Sequence, residues 1–286
     1  MRRRYKIPSA DYTEAMLPRT RKEVFFDVLK LHWFDLLKLG GLLALAALPS
    51  VVLALMNDLY ELRLTAQTGA RTDEILAAVA AFRNTSAWLD IPCGLLFGLA
   101  FSGALRLLRQ YSYEEVPFFW RDIGRGIRQN CRQILLISLL FGLQRAVTRY
   151  LFSGGTLAQS RLPALLGTIF AALTIFVFLP VWAYMVVAVA VYDNSFAQNF
   201  RLSFAVYAKN LGRTLLVLSA VGVLALLALA PNLICHIAGR LLGALLCPLT
   251  ALIWILFTLD RFDRDINPIY FPEQVGRGLY QDTKEK

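Results

Sequence analysis

Six long apolar stretches, at 39–57, 91–108, 133–151, 162–192, 214–233 and 241–259, constrain this chain more than any motif in it. A bilayer core is crossed by a helix of roughly 20 apolar residues, and each stretch is close to that length or longer. Charge is confined to the segments between them. Apolar residues make up 57% of the chain and charged residues 17%, against about 45–50% apolar in soluble domains. The mean hydropathy is +0.52. These features predict an all-α, polytopic membrane protein with six transmembrane helices. A net charge of +10 on a soluble protein would suggest nucleic acid. Here the excess lies beside the apolar runs, so nucleic acid is set aside and anionic lipid headgroups are the nearer partner.

Three segments between the spans are too charged to cross and too apolar to be free loops. From Val24, the residues Phe25, Val28, Leu29 and Leu36 recur at helical spacing, with Lys30 and Asp35 between them and Trp33 suited to an interface. The second segment is 115–132 and the third 193–213, where Phe200, Phe204 and Leu211 share one face. Alignment of VLKLHWFDLLKLGGLLAL from 28, IGRGIRQNCRQILLISLL from 123 and SFAVYAKNLGRTLLVLSA from 203 superposes Asp35, Asn130 and Asn210. Lys38, Arg132 and Arg213 follow within three positions, and an apolar run follows at once. The pattern predicts three helical elbows: an amphipathic interfacial helix, a short polar residue at the bend, a snorkelling cation, then a span. Trp33, Lys38, Arg121, Arg125, Arg128, Asn130, Arg132, Lys209, Asn210 and Arg213 are the candidate lipid- or partner-binding residues on these ramps.

The remaining segments divide as a basic N-terminal segment 1–23, a membrane domain 24–260 with a polar insertion at 58–90, and a tail 261–286. Within the insertion 73–89 reads as a short helix with Thr72 as N-cap. Pro49 and Pro180 predict kinks. Small residues in the second span (Gly94, Gly98, Ala100, Gly103, Ala104) allow close helix approach. Six crossings place both termini on one side, and that side carries 23 of the Lys and Arg residues against 7 opposite. Both termini are therefore expected in the cytoplasm.

Chemistry is sparse. His32 and His236 fall on opposite faces and cannot share a metal. Glu114, Glu115 and Asp122 lie among Arg121, Arg125 and Arg128, a solvated ion-pair network more simply than an acid/base pair. Asn232, His236 and Arg240 outline a candidate outer polar pocket. Arg106, Arg109, Arg145 and Arg149 lie near span ends and can snorkel. Cys93 and Cys235 fall near one outer boundary, which leaves a bridge open; four small core residues is the simpler reading of Cys93, Cys131, Cys235 and Cys247. No catalytic, metal-ligating or cofactor-binding constellation is evident.

The runs GALRLLRQYSYEEVPFFWRDIGRGIRQNCRQILLISLLFGL, FLPVWAYMVVAVAVYDNSFAQNFRLSFAVYAKNLGRTLLVL and INPIYFPEQVGRGLY resemble the YesL family of bacterial integral membrane proteins over roughly residues 24–280. The longer 58–90 insertion and the basic N-terminus depart from shorter members. The resemblance implies six helices, a bacterial cell membrane and no catalytic residues or cofactors. It also implies an accessory role beside ABC-type carbohydrate uptake, with permease subunits as partners. A small-solute transporter or channel, with its site near Pro180 and Asn232–His236–Arg240, is the alternative.

Overall fold

A computed structural model describes residues 17–66, 72–157, 161–227 and 233–280 of the chain. Among these residues the protein is helical almost throughout and contains no strand. The helices are α1 (Arg21–Thr65), α2 (Thr72–Ser112), α3 (Phe119–Leu157), α4 (Arg161–Leu173), α5 (Leu179–Val191), α6 (Phe196–Lys209), α7 (Leu211–Leu227), α8 (Leu233–Asp265) and the single turn α9 (Asn267–Tyr270). A π-helical turn, Thr174–Phe178, joins α4 to α5 without interruption. Five helical stretches are long and apolar enough to cross a membrane: Arg21–Thr65, Glu74–Ser112, Phe119–Phe152, Leu165–Val191 and Leu233–Asp265. Leu211–Val223, where a fifth of six spans is expected, is apolar but shorter.

The helices are longer than the apolar runs, and this corrects the sequence reading in three places. The 58–90 insertion holds no separate short helix. Its first residues extend α1 to Thr65 and its last ones open α2, so the two form one long antiparallel hairpin. The expected elbow at Asn130 is absent. The residue lies inside α3, buried, and its side-chain amide donates to the Ser102 carbonyl of α2 at 3.4 Å. In α1 the break comes at His32 (φ −123°, ψ 15°), not at Asp35 three residues later, and Pro49 leaves the helical torsions intact. Only at Asn210 does the chain turn where the alignment places the bend, with φ −120° and ψ 24° after the last turn of α6.

Packing follows from the sequence of α5, which is apolar on every side. Such a helix belongs in a protein interior or in lipid, and here Pro180 to Met185 and Val187 to Ala190 are almost all buried within the protein. Around it stand α2, α3, α6, α7 and α8. Close approaches use small residues. A Cβ on Gly126 of α3 would lie 3.1 Å from the Cα of Gly103 on α2. The outward faces are apolar, including Leu45, Leu48, Val52 and Met56 of α1, Leu96 of α2, and Leu165, Ile169 and Phe176 on the α4–π segment. A water-facing surface would carry charge at such density of positions. The surface therefore suits lipid, in keeping with the five membrane-length helices.

The π turn has a local cause. Pro180 has no N–H, so the Phe176 carbonyl one turn earlier loses its helical donor. The register loosens there, the Leu179 N–H reaches back to the Thr174 carbonyl, and the Tyr207 hydroxyl of α6 donates to the Phe176 carbonyl. A proline expected to kink the helix thus creates an acceptor that ties α6 to it.

Candidate functional site

Two polar clusters lie at opposite ends of the bundle. At the terminal end, where α1 begins and α8 finishes, the Arg21 guanidinium donates to the Ser112 carbonyl (3.2 Å), the Arg277 carbonyl (3.0 Å) and the Asp263 carboxylate (2.9 Å). Asp263 also accepts from the Asn267 amide at 2.8 Å, and Asn267 accepts from the Tyr192 hydroxyl at 2.5 Å. Arg277 reaches Glu115 at 2.9 Å and lies over the Tyr113 ring. Residues 261–280 are thus a docked polar cap that joins α1, α2, α5 and α8. Two glycines make its last turns: Gly276 (φ 65°) and Gly278 (φ 77°), the latter so close that a Cβ would lie 2.7 Å from the Tyr113 Cα. Burial pushes the Tyr113 phenol up to about 12. Glu114, beside it, is the one non-glycine residue with positive φ (55°) among those described. Burial, then the nearby Asp27, raises its carboxyl above the ordinary range.

The charged residues expected to form a solvated network at 114–128 are otherwise engaged. Asp122 is buried and caps its own helix, accepting from the Phe118 N–H at 2.6 Å, with Arg106 of α2 at 3.7 Å and Arg125 at 4.0 Å. Arg121 lies 3.9 Å from the centre of the Phe118 ring. Arg125, Arg128 and Arg132 are exposed. On α1, Lys38 pairs with Asp35 (3.0 Å) and covers Phe34, while Trp33 is exposed and His32 stacks on Tyr111 with ring centres 4.4 Å apart. On α6, Ser195 and Gln198 form a capping box. Its protein-facing side is Asn199, Ser203, Val206 and Tyr207, whereas Phe204 and Leu211 point outward and Phe200 packs near Trp182. Asn210 donates to Asp265 at 2.7 Å and Lys209 lies 3.9 Å from the same carboxylate; Arg213 is exposed.

At the far end a cavity of about 490 Å³ opens between α1, α2, α3, α5 and α8. Ser50, Asn57, Asp90, Phe97, Phe141 and Trp182 line it, and Arg145, Arg149 and Arg240 border it close to one another. Asp90 accepts from the Ser50 hydroxyl and pairs with Arg145 at 3.0 Å. The Trp182 indole donates to Gln144 at 3.2 Å. His236 lies 2.7 Å from Asp58 through Nδ1, and its Nε2 is 2.9 Å from Nε of Arg240. An arginine can only donate, so Nε2 is the acceptor. A second hollow of about 380 Å³, between α3 and the α4–π segment, shares Phe141, Arg145, Arg149 and Leu179.

The structure joins His236 and Arg240 in one cluster, as the sequence spacing suggests; Asn232 lies outside the described residues. Arg145 and Arg149, expected to snorkel, turn onto the cavity instead. Asp58, Asp90, Ser50 and Trp182 were not singled out from sequence. Asp58 and Asp90 sit at the outer ends of neighbouring spans, and that shared level was the one available signal. Cys93, Cys131, Cys235 and Cys247 are all unbridged. Compared with known proteins, the chain matches no family model, no curated protein and no solved structure.

Proposed function

We propose that the chain is a non-enzymatic, six-span protein of the bacterial cell membrane, of the YesL type, with both termini in the cytoplasm, acting as an accessory subunit of ABC-type carbohydrate uptake. One observation carries this reading. The start of α1, the start of α3 and the α6–α7 bend lie toward the terminal end, and each exposes aromatic or aliphatic groups beside cations: Phe26, Trp33 and Phe34 with Lys30; Phe118 and Trp120 with Arg121, Arg125 and Arg128; Phe204 and Leu211 with Lys209 and Arg213. Aromatic rings and basic side chains at one level suit an anionic headgroup layer. Each cation near such a surface adds about 1 kcal/mol of attraction. Of the carboxylates nearby, Asp35, Asp122 and Asp265 are engaged in capping and pairing. Association with a permease rests on the family resemblance.

Affinity purification from native membranes, followed by mass spectrometry, tests the accessory role. Co-purification of ABC permease subunits supports it. Clean isolation of the chain, together with solute flux in reconstituted liposomes, replaces it with the transporter reading, which the far-end cavity favours. A reporter active only outside the cytoplasm, fused after Lys286, is expected to be silent; activity there reverses the orientation.

A further inference from the structure

We propose that the far-end cavity binds an anionic amphiphile, with a carboxylate or phosphate group held by Arg145, Arg149 and Arg240 and an apolar body lying against Phe97, Phe141 and Trp182. The site is separate from the interfacial ramps and does not depend on the accessory role. Three guanidiniums border the one cavity, and each of Arg149 and Arg240 lies within electrostatic reach of Arg145. Like charges gathered beside apolar walls repel, and the repulsion is relieved by an anion between them. Two resident acids face three guanidiniums: Asp90 pairs with Arg145 and lies within electrostatic reach of Arg149 and Arg240, and Asp58, held by His236, lies within reach of Arg240. Arg149 has no hydrogen bond or ion pair among the described residues. Arg240 spends only its Nε, on His236, so its two terminal nitrogens remain to make a forked contact with an oxyanion. Asp58 and His236 thereby serve as positioning residues for Arg240.

The shape selects the rest of the ligand. The main cavity falls within the roughly 300–1,000 Å³ range of small-molecule sites, and Phe97, Phe141 and Trp182 line it. The adjoining second hollow adds Phe152 and Ile175 beside the same Arg145 and Arg149. One head position therefore adjoins two apolar hollows. A small inorganic anion would leave both hollows unfilled, and a neutral solute would leave the guanidiniums unanswered. An acyl or alkyl chain ending in a single anionic group satisfies both.

The test uses the full chain purified in a neutral detergent. Native mass spectrometry measures retention of phosphatidylglycerol against phosphatidylcholine, and Trp fluorescence, with Trp182 in the cavity wall, follows titration with decyl phosphate against decanol. The key variant is Arg149→Gln, because it breaks no described pair and should fold as the parent does. We expect preferential retention of phosphatidylglycerol, or saturable binding of decyl phosphate but not decanol, and a loss of about tenfold or more in Arg149→Gln, the magnitude of one charge-assisted hydrogen bond. Retention of the phospholipid alone identifies a membrane lipid as the source; binding of decyl phosphate alone identifies a soluble amphiphile. Equal retention of both phospholipids with no decyl phosphate binding overturns the proposal, as does unchanged affinity in Arg149→Gln.

Discussion

Adding one methyl group at either of two adjacent glycines should give opposite results. Gly40 and Gly41 both lie inside α1, yet only Gly40 faces α8. A Cβ at Gly40 would fall far inside contact distance of the Leu245 carbonyl oxygen and 3.1 Å from the Leu245 carbonyl carbon. Ordinary contact begins at 3.4 Å, and a Cβ at Gly41 meets nothing within 4 Å. The obstacle at Gly40 is backbone, which cannot rotate away, so α1 and α8 must separate by about an ångström along a seam that includes buried Leu39, Leu43 and Leu252. Overpacking of this kind costs typically 1–3 kcal/mol, and the upper end applies where nothing flexible can yield. The gain in helix propensity offsets about 1 kcal/mol of it. Gly40→Ala should therefore lose about 2 kcal/mol, while Gly41→Ala should gain up to about 1 kcal/mol. Thermal unfolding in detergent, followed by circular dichroism and by the fraction remaining monodisperse, should separate the two variants by several degrees. Equal midpoints, or a higher midpoint for Gly40→Ala, would refute the close α1–α8 approach.

Glu114→Asn should stabilise the chain by about 1 kcal/mol at neutral pH, since asparagine accepts the left-handed backbone and carries no charge. The pH dependence follows from the raised carboxyl. Folded Glu114 binds its proton more tightly than unfolded Glu114, so its penalty is absent below the unfolded value and develops as pH rises through the raised one; the variant's advantage in unfolding midpoint should shrink on acidification, and a constant advantage would exclude the titration. Tyr207→Phe should cost about 1–3 kcal/mol by leaving the Phe176 carbonyl unpaired. In a Pro180→Ala background, where residue 180 regains an N–H, the same change should cost much less, and strict additivity of the two would reject this account. Gly278→Ala should release the docked tail, read as new proteolytic cleavage within 266–280; unchanged protection would show that the contact with Tyr113 is dispensable.

Helix positions were legible because hydrophobic runs of this length dominate local propensity. Helix ends were not. Asn130 was read as a bend because it precedes an apolar run, but nothing on either side of it breaks a helix, and its amide finds a partner on α2. At Asn210 the same residue type does end a helix, because its side chain is held by Asp265 and lies near Arg261, both from the end of α8. Those partners are more than fifty residues away, beyond any local pattern. The tail shows the same limit. Its prolines, glycines and charges give no sign of what it docks on, whereas Arg21 at the start of α1 and Tyr192 at the end of α5 hold it through Asp263, Asn267 and the Arg277 carbonyl. The far-end cavity was half visible, because His236 and Arg240 are one helical turn apart and Asp58 and Arg149 are not.

The two polar clusters differ in one respect that bears on their roles. At the terminal end, acid and base are matched closely: Arg21 with Asp263, Arg277 with Glu115, Lys38 with Asp35, Lys209 near Asp265. Such pairing fixes geometry, and it suits an end whose work is to hold the tail and the helix starts in register. At the far end three guanidiniums face two carboxylates, Asp58 and Asp90, around apolar walls that a water-filled site would not need. An unbalanced charge is costly to gather in a half-enclosed space unless something of opposite sign arrives to share it. The asymmetry therefore distinguishes the closely paired cluster that holds the tail from the far-end cavity, where the proposed anion would be bound.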